Sequence, residues 1–298
     1  MTSFHKRWLT WIRERFHPVY RLRQVPPIRW LLARIDRPWM TRIDGIPHPV
    51  AVRLGRNLGT VLSRGVAEES EERELLIGLA RANGSRSYWD VGANYGLFTF
   101  ALRAADPMLR IEAFEPDPDC LALLQRTLKD HGPDRVRLHG LALSGSEGSA
   151  RFKRDLLTGA TGGLIESGER PAIIRAPRSN PRIIEVATST MDVESAKLGM
   201  PDIVKIDVEG SELDVLLGGE RTLRAHRPIL LVECTRRQDE VRQILEDVGY
   251  EVRDPRSPAN PVPGPGMPFM ALAIDPHRHR LVEQRGLVEQ GAHRDESS

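Results

Sequence analysis

The sequence predicts an α/β fold, an open and mostly parallel sheet with helices on both faces. Three observations carry this expectation. Short apolar runs alternate with amphipathic stretches between about residues 85 and 275, the pattern of repeated strand–helix units. One run, Tyr88-Trp89-Asp90-Val91, opens into the glycine loop Gly92-Ala93-Asn94-Tyr95-Gly96, followed by a helix beginning at Leu97. Four runs end in an acid, namely Asp90, Glu115, Asp207 and Glu233. Burying one carboxylate at a strand end is costly unless it has a partner. In open sheets ligands bind outside the carboxyl ends of the strands, so four acids converging on one edge point to a site.

The elements follow in order. Phe4, Trp8, Leu9, Trp11, Ile12 and Phe16 recur at roughly helical spacing with Lys6, Arg7, Arg13 and Arg15 between them. A basic aromatic helix of this kind suits an anionic membrane surface, and docking on the domain, on a partner, or disorder stand beside that reading. Pro26-Pro27 and Pro38 break this segment into short pieces. Val50 to Leu54 alternates like a strand, and Glu68 to Ala82 reads as a helix stopped by Asn83-Gly84. After the glycine loop come the strand Ile111 to Glu115 and a helix from Pro118 to His131, with Leu121, Leu124 and Leu128 on one face. Val136 to His139 leads into Leu141 to Ser144, a third strand with its exit; His139 in it reads as a core or edge histidine. Residues 145–190 hold isoleucine pairs among Gly, Pro and Arg, and read as a strand-rich insertion or flap.

The sheet resumes at Asp202 to Asp207, a buried strand of the parallel kind. A helix from Glu212 to Ala225, the strand Ile229 to Glu233, a helix from Asp239 to Val248 and a strand at Tyr250 to Val252 come next. Six prolines between Pro255 and Pro268 predict a long loop before the last strand, Phe269 to Ile274. Seven strands are thus expected in the sheet. From Asp275 the chain is polar and reads as a mobile tail, with His277 and His279 solvated.

Composition sets the bounds. A chain of 298 residues, 40% hydrophobic, is enough for one α/β domain of about 200–250 residues plus appendages. The division expected is a basic segment at 1–45, a domain at 46–275 and a tail at 276–298. Residues 1–45 carry ten Lys/Arg against three acids, hence +7, which leaves −5 on the rest of a chain of net charge +2. Four of the five tryptophans, Trp8, Trp11, Trp30 and Trp39, lie there too. Cys120 and Cys234 are isolated thiols that make neither a disulfide framework nor a zinc site. No uncharged run approaches the ~18 residues of a transmembrane helix, and no apolar leader segment opens the chain. A cytoplasmic location is expected, on the inner face of a membrane if the basic segment docks there.

The spacing of the loop discriminates between adenosine-containing ligands. Dinucleotide sites use Gly-x-Gly-x-x-Gly to seat a pyrophosphate. Here the loop is Asp90-x-Gly92-x-x-x-Gly96, with an acid that would repel a pyrophosphate and suits the ammonium of S-adenosylmethionine (SAM). Glycines allow the backbone to approach a ligand that a Cβ would strike. Glu115, at the end of the next strand, can accept hydrogen bonds from both ribose hydroxyls.

Asp90 to Gly96, Ala113-Phe114-Glu115-Pro116-Asp117, Ile203 to Leu213 with its Lys205-Ile206-Asp207-Val208-Glu209-Gly210-x-Glu212 core, and Ile229 to Glu233 occur in one order. In these motifs residues 85–275 resemble the FkbM family of SAM-dependent O-methyltransferases. The resemblance implies the Rossmann-like class I methyltransferase fold. It implies that the loop of Asp90, Gly92, Asn94 and Gly96 holds the amino-acid part of SAM, and that Glu115, with Asp117 in the same motif, serves the ribose. Ser144 matches a position near the adenine. Val186 to Asp192 is similar to another family segment, with Met191 in place of Leu.

Methyl transfer to a hydroxyl requires alignment, exclusion of water and a proton acceptor. Asp207 is the first choice as base, with Glu209 and Glu233 as acceptor-binding groups. Strand alternation puts Lys205, Asp207 and Glu209 on one side, so Lys205 pairs with Asp207 or Glu209 and stabilises the site. The same three acids could hold Mg²⁺, a reading not favoured here. The expected reaction transfers a methyl group from SAM to a hydroxyl of a sugar, glycolipid or small metabolite, leaving S-adenosylhomocysteine. The alternatives are a non-catalytic SAM-binding scaffold and a nucleic-acid methyltransferase. The second ranks lower, because Asp207-Val208-Glu209-Gly210 stands where amino-methylating enzymes carry Asn/Asp-Pro-Pro-aromatic, so no nucleic-acid partner is expected.

Overall fold

The computed structural model describes residues 25–65, 70–132, 134–155, 162–165 and 182–283. The aromatic stretch from Phe4 to Phe16 and residues 284–298 lie outside the described residues.

Helix α1 (Pro26–Ile35) starts on its two prolines, which suit a first turn whose N–H groups have no helical partner. Strand β1 (Pro38–Thr41) pairs antiparallel with β2 (Val50–Arg53), so a hairpin crosses the boundary expected at residue 45. Helices α2 (Leu58–Ser63) and α3 (Ser70–Asn83) lead to β3 (Ser87–Val91), α4 (Leu97–Ala105), β4 (Arg110–Phe114), α5 (Pro118–His131) and β5 (Val136–His139). Strand β6 (Ala142–Leu143) then leaves the sheet. With β7 (Gly148–Arg154), β8 (Gly163–Leu164) and β9 (Arg182–Ser189) it makes a second sheet of order β6-β9-β7-β8. The third strand of the main sheet is therefore 136–139, and Leu141 to Ser144 belongs to the second sheet. Helix α6 (Met191–Leu198) returns the chain to β10 (Ile203–Ile206), followed by α7 (Glu212–Leu217), α8 (Glu220–His226), β11 (Ile229–Glu233), α9 (Gln238–Asp247), β12 (Glu251–Asp254), β13 (Ser257–Pro261) and β14 (Met270–Ile274).

The main sheet has the order β13-β12-β14-β11-β10-β3-β4-β5. Strands β11, β10, β3, β4 and β5 run parallel, whereas β14 is antiparallel to both β11 and β12. It has eight strands rather than the seven expected, because part of the proline-rich stretch pairs as β13 with β12. Proline lacks the N–H that an inner strand must donate, and an edge strand tolerates that loss. The order reverses between β3 and β10, the switch point at which ligands sit in such sheets.

Each face of the sheet is packed. Tyr88, Phe100, Ile111, Leu124 and Leu231 belong to one buried cluster, and Trp89, Phe114, Val204, Leu216 and Val232 to the other. All four residues of β10 are buried, as a strand covered on both sides requires. The single helix expected over 212–225 is two helices. Its break falls at Gly218-Gly219, where a Cβ on Gly218 would come 2.1 Å from the Ser144 carbonyl oxygen. The segment after Asp275 is helical over 276–283. His277 is exposed there, but His279 is buried, with Nε2 3.2 Å from the Pro258 carbonyl oxygen. Pro258 belongs to β13, a strand the sequence pattern reads as part of a loop. Among the described residues no helix is long and apolar enough to cross a membrane.

Candidate active site

The glycine loop is shaped by its neighbour across the switch point. Gly92 has φ +85°, and a Cβ there would lie 1.8 Å from the carbonyl oxygen of Asp207. Glycine is thus required because the loops after β3 and β10 touch, a closer constraint than the ligand approach expected. Gly96 (φ +90°) opens α4, and a Cβ on it would strike Phe100 and Leu124. Asn94 is also left-handed, at φ +52°, which Asn tolerates better than most residues. That conformation aims its N–H at Glu115 Oε2, 2.7 Å away. The Asp117 N–H donates to Glu115 Oε1, also at 2.7 Å. Glu115 is buried, and burial pushes its pKa up to about 7 against the pull of these two N–H groups.

Asp117 caps α5 by accepting from the Asp119 N–H at 2.8 Å. Its carboxylate is gripped from the second sheet: Arg154 Nε and NH2 donate to its two oxygens, each at 2.8 Å. Arg154 is buried and also pairs with Asp119. Removing one partner of a buried ion pair leaves the other charge uncompensated. Arg154→Ala is therefore expected to destabilise the protein by about 3 kcal/mol, read from urea unfolding. A cost no larger than that of an exposed arginine would refute the grip.

Asp90 is buried on the other side of the loop, where Thr99 Oγ1 donates to its Oδ2 at 2.6 Å. Burial raises its pKa, while Lys205, Thr99 and Tyr88 oppose the rise. Lys205 is buried too, with Nζ 4.6 Å from the centroid of the Phe98 ring and 2.7 Å from Asp207 Oδ2. Of the two ion pairs open to Lys205, the one with Asp207 is formed. Carboxylate oxygens of Asp207, Glu209 and Glu233 lie within 4.8 Å of one another. Glu209 sits at φ +55°. Burial, followed by the charges of Asp207, Glu212 and Asp155, pushes its pKa up to about 7.

One cleft joins these groups. Of the expected residues, Gly92, Asn94, Glu115, Asp117, Asp207 and Glu209 line it; Asp90, Gly96, Ser144, Lys205 and Glu233 stand behind or beside the lining. The second sheet supplies Phe152, Asp155, Gly162 and Leu164 to the same cleft. Cys120 lines it as well, its Sγ 3.4 Å from Asn94 Oδ1. Sequence reasoning missed Arg154, Phe152 and Cys120. The alternation of Phe152 and Arg154 in β7 was the one available signal.

A sheet with this strand order, a glycine loop at its switch point and an acid on the next strand end is the class I methyltransferase fold. Residues 90–252, more than half of the chain, match the methyltransferase FkbM domain, and the chain belongs to that family. It is similar to the hexuronic acid methyltransferase AglP of Haloferax volcanii, with 30% identity over 162 residues, 54% of this chain and 56% of AglP. It is also similar to the 2-O-methyltransferase NoeI of Sinorhizobium fredii, with 30% identity over 150 residues, 46% of this chain and 59% of NoeI. The chain thus spans a little over half the length of either relative. A crystal structure of methyltransferase FkbM from Methylobacillus flagellatus aligns over 83% of this chain and 58% of that one, at 16% identity and a TM-score of 0.42.

Proposed function

We propose that the protein transfers a methyl group from SAM to a hydroxyl of a sugar, glycolipid or small metabolite and releases S-adenosylhomocysteine. The observation that carries this reading is the single cleft lined both by Gly92, Asn94 and Glu115 and by Asp207 and Glu209. The residues present fit the donor. Glu115, held by two backbone N–H groups, keeps lone pairs for ribose hydroxyls, and the loop after β3 supplies a backbone wall without side chains at Gly92. When bound, SAM supplies an electrophilic sulfonium methyl. Asp90 is buried behind the loop after β3, its Oδ2 held by Thr99 Oγ1, and its charge suits the ammonium of the donor.

The acids of the cleft serve the acceptor. Glu209 takes the place of Asp207, the base expected from the sequence, because Asp207 is ion-paired with Lys205, whereas burial and neighbouring acids push the Glu209 pKa up to about 7, which suits it to take the hydroxyl proton at neutral pH. Asp207, fixed by Lys205, orients the hydroxyl, and Glu233 completes the group. These three acids would also suit a divalent cation by donor type. The Lys205 ammonium already places a positive charge against Asp207, which favours proton transfer without a metal. The hexuronic acid methyltransferase and the 2-O-methyltransferase among the relatives support an oxygen acceptor on a sugar. The basic segment 1–45 fits a chain working in the cytoplasm at the inner face of a membrane.

Calorimetric titration with S-adenosylhomocysteine, followed by label transfer from SAM to a panel of uronic acids and neutral sugars, tests the reading. A folded protein that binds no S-adenosylhomocysteine would sink it. Glu209→Gln is expected to lower kcat by about 10²–10⁴-fold while leaving S-adenosylhomocysteine binding unchanged. Only the ionised carboxylate accepts a proton, so wild-type kcat rises with pH through about 7, and this limb is absent in the variant. A limb that persists in Glu209→Gln assigns the base elsewhere.

A further inference from the structure

Helix α1 turns one face to the protein and the other to solvent. Ile28, Leu32 and Ile35 are half-buried, whereas Val25, Trp30, Leu31, Ala33 and Arg34 are exposed. Trp30 is 62% exposed and Leu31 52%, a high figure for side chains of this size. Trp39, at the start of β1, is 42% exposed. A guanidinium lies over each indole: Arg34 is 5.2 Å from the Trp30 centroid and Arg37 5.8 Å from that of Trp39.

The orientation of this face is fixed by the fold. The backbone of α1 is pressed so closely on the turn after β2 that a Cβ on Gly55 would lie 2.2 Å from the Leu32 carbonyl oxygen. Asp36, just past the helix, accepts from Arg53 Nε at 3.1 Å and NH2 at 2.9 Å, and from the Arg56 N–H at 3.1 Å. Trp30 is held outward by this docked helix, and Trp39 is fixed by the pairing of β1 with β2.

We propose that this face is a docking surface for an anionic lipid membrane. Indole rings and leucine enter the headgroup boundary of a bilayer, and arginines beside them reach the phosphates. The charge division agrees, since residues 1–45 carry +7 and the remainder −5, so the segment is drawn to a negative surface that repels the body. A nucleic acid would use the arginines but gains nothing from Leu31 and Val25, which is why lipid is the favoured partner. Docking at this face is independent of the cofactor reading and is measured without it.

The test is flotation of the full chain on vesicles of phosphatidylcholine alone and of an equal mixture with phosphatidylglycerol, at low and high salt. The wild type is expected to float with the anionic vesicles, less so at high salt. The double substitution Trp30→Ser with Leu31→Ser weakens this at least about tenfold, and Arg34→Glu with Arg37→Glu does the same. Because these side chains are exposed, thermal unfolding stays unchanged and serves as the folding control. Flotation of the variants equal to wild type would overturn the assignment. So would vesicle-independent binding of mixed-sequence DNA lost in the arginine variant, or a dimer of this chain broken by Trp30→Ser.

Discussion

Gly92→Ala is expected to destabilise the protein by about 3 kcal/mol or more and to abolish S-adenosylhomocysteine binding. Two effects add. The left-handed φ of +85° is strained for any residue with a Cβ. The new methyl would also sit 1.8 Å from the Asp207 carbonyl oxygen. That oxygen cannot swing aside freely, because the Asp207 N–H is bonded to the Val91 carbonyl at 3.0 Å. Gly45 separates the two effects: it has the same φ of +85°, and among the described residues no atom lies within 4 Å of where its Cβ would stand. Gly45→Ala is expected to cost only about 1 kcal/mol. Urea unfolding of both variants decides the matter, and equal costs would show that the contact between the loops is not what demands glycine.

Glu115→Gln is expected to weaken S-adenosylhomocysteine binding about 100-fold at pH 8 and to erase its pH dependence. The two N–H groups on Glu115 need two acceptor oxygens, and an amide offers one. In the wild type the pKa is held near 7 by burial. Ribose hydroxyls donate to the ionised form, so affinity falls about tenfold per pH unit below 7 and is flat above it. Stability runs the other way. The pKa of Glu115 is raised from its ordinary 4.5 to about 7, so its protonated form stabilises the unliganded fold fully below 4.5, and that contribution is lost as pH rises through 7. Unliganded wild type should therefore lose stability relative to Glu115→Gln over this window. Titrations at several pH values that show parallel curves for both proteins would contradict the assignment.

The parts of this molecule legible in the sequence are those governed by local pattern. Strands β3, β10 and β11 are short, mostly apolar runs between turns, broken by Asp90 and Lys205, and the acids at or near their ends mark the functional edge. The meeting of Asp207 with Glu233 follows from register, since β10 and β11 pair Ile206 with Val232, whereas Glu209 joins them from the loop beyond β10, at φ +55°. What pattern could not give is long-range pairing. Arg154 meets Asp117 across 37 residues, in a stretch whose glycines and prolines signal only irregularity. The reading of six prolines as a loop holds over 262–269 but not over Ser257–Pro261, because proline excludes a residue from inner strands and leaves the outermost one open to it. Gly218-Gly219 looked like part of a helix because what a Cβ would strike, the Ser144 backbone at Gly218 and the Met191 side chain at Gly219, lies far away in sequence.

That outermost strand has a consequence for how the molecule behaves in company. Open sheets end in rows of bare amide groups onto which a neighbour's strand can add. Here the terminal strand is β13, short and carrying Pro258 and Pro261, two positions with no amide hydrogen to offer. Arg253 further ties up the carbonyl oxygens of Pro258 and Ala259, at 2.8 and 2.7 Å. The proline-rich stretch is a built-in terminator for strand addition, and it keeps one flank of the sheet from becoming a template for aggregation in a crowded cell.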